Sequence, residues 1–180
     1  NSPVISTSSV ISTNENEVAV SILSASDADN DSLNWSFNGG LDDGLFALSS
    51  NGSLSFKISP DYEKPGSNDG DNQFLVAVRV SDGSNNIDQN LTINLTNLND
   101  TAPVVHNQEL NGIYKIPVLE KQFSVLELNV TDADGSLVSK SIIADEDSSI
   151  FRINSLNVIE FISAPDYESP LDLDSDNLYE

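Results

Sequence analysis

The same pattern of residues occurs twice in this chain, 105 positions apart. Pro60-Asp61-Tyr62-Glu63 recurs as Pro165-Asp166-Tyr167-Glu168, and Phe46 and Phe56 recur as Phe151 and Phe161. A period this long predicts two copies of a whole domain, because the units of solenoid proteins are far shorter. We therefore expect a first domain over residues 1–100 and a second domain over residues 101–180.

Short runs in which apolar and polar residues alternate dominate the first copy. They cover residues 18–23, 33–37, 54–58, 74–80 and 89–95, and clusters of Gly, Asn, Asp and Pro separate them. This alternation predicts half-buried strands, and short strands with such turns are typical of an antiparallel sandwich. We predict an all-β fold of two tandem Greek-key β-sandwiches. Because Tyr179 corresponds to Phe74, we expect the second sandwich to lack its last strands.

The net charge restricts the partners of the chain. It carries 29 Asp and Glu against 7 Lys and Arg, a formal net charge of −22. This charge disfavours binding to nucleic acid or to anionic membrane surfaces, and no apolar run is long enough to insert into a membrane. The chain has no Cys, which excludes disulfides and thiolate metal sites. Since 38% of the residues are hydrophobic, the chain is too apolar for a disordered acidic tail.

The recurring residues are chiefly hard oxygen donors. Glu15 recurs as Glu120, and Asp27 and Asp29 recur as Asp132 and Asp134. Calcium binds six to eight oxygens from carboxylates, amides and backbone carbonyls. His and Cys, which softer metals prefer, are absent from these clusters. The pattern therefore predicts calcium as the cofactor.

Five motifs of the first copy together resemble a cadherin repeat, in order and in spacing. They are Glu15-Asn16, Asp27-Ala28-Asp29, Asp61-Tyr62-Glu63, Ser81-Asp82-Gly83 and the junction at residues 97–103. Pro-Asp-Tyr-Glu replaces the animal pattern, so the chain looks like the bacterial cadherin-like tandem repeats of large calcium-dependent (RTX-type) surface adhesins. The resemblance implies cadherin- or immunoglobulin-like sandwiches at an extracellular cell surface.

The resemblance also implies which residues bind calcium, because cadherins hold their ions between successive domains. The interdomain set would be Glu15, Asp61, Glu63, Asn97, Asn99, Asp100, Asp132 and Asp134. Two outer half-sites would face neighbouring modules of the same chain. They consist of Asp27, Asp29 and Asp82 in the first copy and of Glu120, Asp166 and Glu168 in the second.

Two further groups of acidic residues allow two interpretations. Asp31, next to Asp27 and Asp29, and the pair Asp69 and Asp71 could form separate loop sites. Asp and Asn in turns also cap their own backbone without any ligand, and we favour this interpretation. The second copy retains Asp174 and Asp176 opposite Asp69 and Asp71.

The resemblance predicts a calcium-rigidified spacer that acts in cell adhesion, and no enzyme. The alternative is a module that binds a glycan or a peptide, with the five extra residues of the second copy around 107–115 as the candidate segment. Exposed aromatic residues would favour this alternative, and the candidates are Trp35, Tyr62, Tyr114, Tyr167 and Tyr179. A third possibility is a homodimer that forms through exchanged strands.

Overall fold

Strands and short turns account for all regular structure in the part of the chain that the structure describes. The computed structural model describes residues 1–106 and 115–179, and the chain divides into two units, Asn1–Asn99 and Asp100–Glu180. Most of the predicted insertion around residues 107–115, together with Tyr114, lies outside the described residues. The described residues contain no helix that is long and apolar enough to cross a bilayer.

The first unit contains nine strands. They are β1 (Val4–Ile5), β2 (Val10–Asn14), β3 (Ala19–Ile22), β4 (Ala25–Ser26), β5 (Asn34–Phe37), β6 (Phe46–Leu48), β7 (Ser53–Phe56), β8 (Gln73–Ser81) and β9 (Asn86–Thr96). A 3₁₀ turn at Asp43–Leu45 precedes β6. These strands include the runs that the alternation predicted, and the all-β sandwich is confirmed.

The strands of the first unit form two main sheets. One sheet has the order β2-β9-β8-β5 and the other has the order β3-β7-β6, while β1 pairs with β4. The strands of the two sheets pair antiparallel except in one place, where β2 pairs with β9 in parallel from Val10↔Thr92 to Asn14↔Thr96. The chain before β3 therefore pairs in two places, because β1 pairs with β4 and β2 joins the sheet of β9, β8 and β5. Periodicity cannot predict this, since it specifies the buried face of a strand and not its partner.

The core of the first unit lies between the two sheets. Phe46, Leu54 and Phe56 come from β6 and β7, and they belong to one buried cluster with residues of β5, β8 and β9. On β8 the buried residues alternate as Phe74, Val76, Val78 and Val80. Trp35 is 7% exposed and belongs to this core, as predicted. The rings of Phe46 and Phe56 lie 4.4 Å apart, and Phe74 packs against Phe56 at 5.1 Å.

The second unit repeats part of this arrangement. Its strands are β10 (Val104–Val105), β11 (Ser124–Glu127), β12 (Val130–Thr131), β13 (Phe151–Ile153) and β14 (Val158–Phe161). β10 pairs with β12, and the second sheet has the order β11-β14-β13. Phe161 contacts Phe151 at 4.7 Å and Tyr179 at 5.0 Å, so Tyr179 takes the position that Phe74 has in the first unit.

We predict that Phe74→Ala destabilises the first unit by about 3 to 5 kcal/mol, as usual for a buried aromatic residue. Phe74 is 2% exposed and contacts both other rings of the cluster. Urea unfolding followed by the fluorescence of Trp35 measures this loss, because the only Trp of the chain lies in the same core.

Leu75→Ala is the matched control for this substitution. Leu75 is the next residue on β8 but points to the other face and is 39% exposed. We expect it to lower the free energy of unfolding by about 1 kcal/mol or less. Equal losses for the two variants would contradict the assignment of the core.

Candidate metal centre

Glu15 is a buried carboxylate that connects three segments of the first unit. It directly follows β2 and is only 1% exposed. Its Oε2 accepts a hydrogen bond from the N–H of Tyr62 at 2.8 Å, and its Oε1 accepts one from the N–H of Leu98 at 2.7 Å. The side chain was predicted as a calcium ligand, but the sequence did not indicate this structural role. Glu15 therefore attaches the Pro60–Glu63 motif and the end of β9 to the same point.

Glu63 brings a second carboxylate to Glu15. One carboxylate oxygen of each residue lies within 4.8 Å of the other, although the two groups carry like charges. Asp61 behaves differently, because its Oδ2 lies 2.7 Å from the ammonium of Lys64. The hydrogen bond from Lys64 lowers the pKa of Asp61. Within the first unit, the predicted ligands Glu15 and Glu63 are thus brought together, whereas Asp61 is paired with a lysine.

Asn97 and Asn99 lie directly after β9. Asn97 is half-buried and Asn99 is exposed. Leu98 between them is held by Glu15, which fixes the path of the backbone at this point. The two amide side chains therefore flank a residue whose position depends on a buried carboxylate.

The predicted ligands of the second unit lie after β12. Asp132 Oδ1 accepts the N–H of Asp134 at 3.0 Å, in a turn that Gly135 closes on the carbonyl of Asp132 at 3.2 Å. Asp134 Oδ2 accepts the N–H of Thr101 at 2.8 Å. Asp100 precedes Thr101, so this bond connects the start of the unit to the Asp132–Asp134 turn.

The half-site of the first copy forms a similar turn. Asp27 Oδ1 accepts the N–H of Asp29 at 2.8 Å, and carboxylate oxygens of Asp27, Asp29 and Asp31 lie within 4.8 Å of one another. Asp27 Oδ2 is buried and has no hydrogen-bond partner. The side-chain amide of Asn1 donates a hydrogen bond to Asp29 Oδ1 at 2.8 Å. The N–H groups of Asn85 and Ser84 lower the pKa of Asp82 by bonding to its carboxylate.

The half-site of the second copy contains a cation of its own. Glu120, Asp166 and Glu168 are exposed, and their carboxylate oxygens lie within 4.8 Å of one another. The ammonium of Lys121 lies 3.1 Å from Glu120 Oε1, which raises the pKa of Lys121. Asn16 takes the position of Lys121 in the first copy, and both backbones have a positive φ there. The ammonium partly neutralises this cluster.

A further acidic group lies in the loop after Tyr167. Carboxylate oxygens of Asp172, Asp174 and Asp176 lie within 4.8 Å of one another. Burial raises the pKa of Asp174, and the charges of Asp176 and Asp172 add to this effect. In the first copy, the counterpart Asp71 accepts the backbone N–H of Gln73, as the capping interpretation predicts, whereas Asp69 accepts the hydroxyl of Ser67.

The donor sets of these groups fit calcium. They consist of carboxylate and amide oxygens without any imidazole or thiolate, and the turns place carboxylates close together without enough lysine or arginine to neutralise them. The only His, His106, has its Nε2 2.6 Å from Thr131 Oγ1 and lies outside these groups. The chemistry therefore favours a hard cation with several oxygen ligands.

A pocket of about 310 Å³ in the first unit is another possible binding surface. Its wall includes Phe56, Phe74, Ile58 and Pro60, next to the ion pair of Asp61 and Lys64. Phe56 and Phe74 belong to the core and are almost fully buried. They cannot offer a ring face to a sugar without opening the sandwich.

Comparison with known families gives one match. Residues 1–96 match the model of the bacterial Ig domain. Comparison with curated proteins gives no match.

Comparison with solved structures gives many matches to cadherin repeats. Human protocadherin-24 EC1-2 is similar with a TM-score of 0.64 and 22% identity, over 94% of this chain and 81% of that one. Drosophila N-cadherin EC1-4 is similar with a TM-score of 0.68 and 18% identity, over 98% of this chain and 43% of that one. Mouse cadherin-23 EC22-24 is similar with a TM-score of 0.68 and 20% identity, over 93% of this chain and 56% of that one. At these identities the likeness shows the fold alone.

We predict that Glu15→Gln destabilises the first unit even without calcium. Gln has only one acceptor oxygen, so one of the N–H groups of Tyr62 and Leu98 would lose its partner. An unsatisfied buried donor costs about 1 to 3 kcal/mol. Urea unfolding in the presence of a chelator, followed by Trp35 fluorescence, measures this loss.

Glu17→Gln is the control, because Glu17 is exposed and only two residues away. We expect a change within about 0.5 kcal/mol. If Glu15→Gln were as stable as the control in chelator, Glu15 would not be a structural clamp.

Proposed function

This chain belongs to the bacterial Ig-domain family and folds as cadherin repeats do, and on this basis we propose that it is a calcium-binding extracellular spacer in a large bacterial surface protein that acts in cell adhesion. The observation that carries the proposal is the pairing of Glu15 and Glu63. These two carboxylates are held close together by the backbone of the first unit in spite of their repulsion. Such an arrangement is costly unless a cation neutralises it.

The predicted ligands would hold calcium at the junction of the two copies. They are Glu15, Asp61, Glu63, Asn97, Asn99, Asp100, Asp132 and Asp134. Bound calcium would supply positive charge and accept oxygen ligands from both copies. Asp61 would have to exchange its bond with Lys64 for this role.

The chain itself positions several of these groups before any ion binds. Glu15 holds the segment between Asn97 and Asn99 through the N–H of Leu98. Asp134 holds Thr101, and therefore the residue after Asp100, through a backbone hydrogen bond. Ligands that are already in place lose less conformational entropy on binding.

The mechanism of the spacer would be electrostatic. Without a cation, the carboxylates at the junction repel one another, and we propose that the linker then bends. Neutralised carboxylates would hold successive domains at one angle. Calcium sites of extracellular modules have dissociation constants of about 10⁻⁴ to 10⁻³ M, so such sites would fill outside cells and stay empty in a calcium-poor cytoplasm.

The alternative function, binding of a glycan or a peptide, has less support. Trp35 is buried, Tyr62 packs against the core, and Tyr179 contacts Phe151 and Phe161. Among the candidate aromatic residues that the structure describes, only Tyr167 is largely exposed, at 70%. One exposed ring does not make a stacking platform. Contact through exchanged strands and the absence of catalysis stay predictions.

We predict that calcium raises the thermal stability of the chain relative to chelator. A ligand that binds only the folded state stabilises it by about 2.7 kcal/mol per site at 100 times its dissociation constant. Calorimetric titration followed by thermal melts measures both quantities. Asp132→Asn combined with Asp134→Asn should abolish the part of the gain that comes from the junction.

The matched control is Glu127→Gln, which removes an exposed carboxylate of the same unit outside every predicted site. This variant should keep the full calcium-dependent gain. Melting temperatures that are the same in calcium and in chelator for the unchanged chain would refute the proposed function.

A further inference from the structure

The loop that follows the Pro-Asp-Tyr-Glu motif shares several hydrogen bonds between the two copies. In the first copy the N–H of Asp71 bonds to Ser67 Oγ at 2.9 Å, and in the second the N–H of Asp176 bonds to Asp172 Oδ2 at 2.7 Å. The next turn is also the same, because the N–H of Leu178 bonds to Asp176 Oδ1 at 2.7 Å, as Gln73 bonds to Asp71. The two loops can therefore be compared residue by residue.

In the first copy, the loop is closed by a hydroxyl group. Ser67 is buried, and its Oγ lies 2.8 Å from Asp69 Oδ1 and 3.1 Å from Asp71 Oδ1. The hydroxyl has one proton, which it can donate to Asp69, and Asp71 Oδ1 accepts the N–H of Gln73 at 2.7 Å. This loop needs no ligand.

In the second copy, Asp172 replaces this serine. It is 5% exposed, and its Oδ2 accepts the N–H groups of Asp176 and Asn177 at 2.7 and 3.0 Å. Its Oδ1 is buried and has no hydrogen-bond partner. An ionised carboxylate cannot donate a proton to its neighbours. The substitution has therefore exchanged a donor for a third negative charge at a buried point of the loop.

The space beside this loop is lined by more acidic groups. A pocket of about 60 Å³ lies between Glu146, Asp147, Leu173, Asp174, Asp176 and Leu178. Asp147 Oδ1 supports the loop by accepting the N–H of Leu173 at 3.1 Å. Among the described residues, no lysine or arginine lines this pocket. Asp172 does not line this pocket itself, but one of its carboxylate oxygens lies within 4.8 Å of oxygens of Asp174 and Asp176, which do. A buried, unpaired carboxylate oxygen next to these groups is unfavourable unless a cation binds.

We propose that Asp172, Asp174 and Asp176 form a calcium site inside the second unit, separate from the predicted junction. Alternate residues supply the carboxylates, with the spacing that the first ligands of an EF-hand loop have. Asn177 has a φ of +64°, at the position where that loop turns sharply on a glycine. Glu146 also lines the adjoining pocket. The first copy has no such site, because Ser67 completes its loop.

The site would fasten the end of the loop to the core of the second unit. Tyr179 follows Leu178 closely and packs against the rings of Phe151 and Phe161. A cation held by Asp172 and Asp176 would therefore fix the segment that brings Tyr179 to this aromatic cluster. Its effect would be local to one domain, unlike that of a junction site.

The experiment substitutes one residue in each loop of the full chain by the residue that the other copy has at that position. Asp172→Ser installs the residue that the first copy has at this position, and it should reduce the calcium bound at saturation by one equivalent per chain. Ser67→Asp should add one equivalent. Equilibrium dialysis with metal analysis measures both, and circular dichroism checks that each variant is folded.

A second measurement does not depend on any variant. Calcium added to the unchanged chain should shift the NMR amide resonances of Asp176, Asn177 and Leu178. If these resonances do not move, or if Asp172→Ser binds as much calcium as the unchanged chain, the proposal is overturned.

The same experiments separate this site from the proposed function. Asp132→Asn with Asp134→Asn should leave the shifts of Asp176 to Leu178 intact. If that variant binds as much calcium as the unchanged chain while Asp172→Ser loses one equivalent, the junction mechanism fails and the loop site stands. If only the junction variant loses calcium, the loop proposal fails.

Discussion

Hydrogen bonds from backbone N–H groups to buried carboxylates hold the loops of this protein in place. With 29 acidic and only 7 basic side chains, ion pairs cannot satisfy most of the carboxylates. Asp42 is fully buried, and its two oxygens accept the N–H groups of Asn68 and Leu75. Glu15 does the same for Tyr62 and Leu98. Such bonds to a charged acceptor are stronger than neutral ones, so a chain with few cations can still bury acidic groups.

These hydrogen bonds would also link the proposed calcium binding to folding. A carboxylate whose one oxygen bonds to the backbone is fixed in orientation, and its other oxygen points to a defined place. Asp134, with Oδ2 on Thr101, and Asp172, with Oδ2 on Asp176 and Asn177, both follow this pattern. The difference between Ser67 and Asp172 shows how little must change. One side chain separates a loop that closes by itself from a loop with an unsatisfied oxygen.

Most of the fold of the first unit could be predicted from the sequence, but little of the detail of its sites. Alternation identified β8 because Phe74 to Val80 bury every second side chain. The parallel pairing of β2 with β9 could not be predicted, since a strand's pattern does not specify its neighbour. The burial of Glu15 and Asp172 was also missed, because an isolated acidic residue is normally exposed. The recurrence of Asp42 as Asp147 was a signal that could have indicated a structural role.

The parallel pair of β2 and β9 determines how the first domain resists a pulling force. β2 lies near the start of the domain and β9 near its end, and five consecutive residue pairs join them in register. Tension applied to the two ends would draw these strands past each other along their length. All the hydrogen bonds between them would then be loaded together, whereas antiparallel strands pulled at adjacent ends open one bond at a time. A domain with this connection is suited to bear mechanical load along the chain.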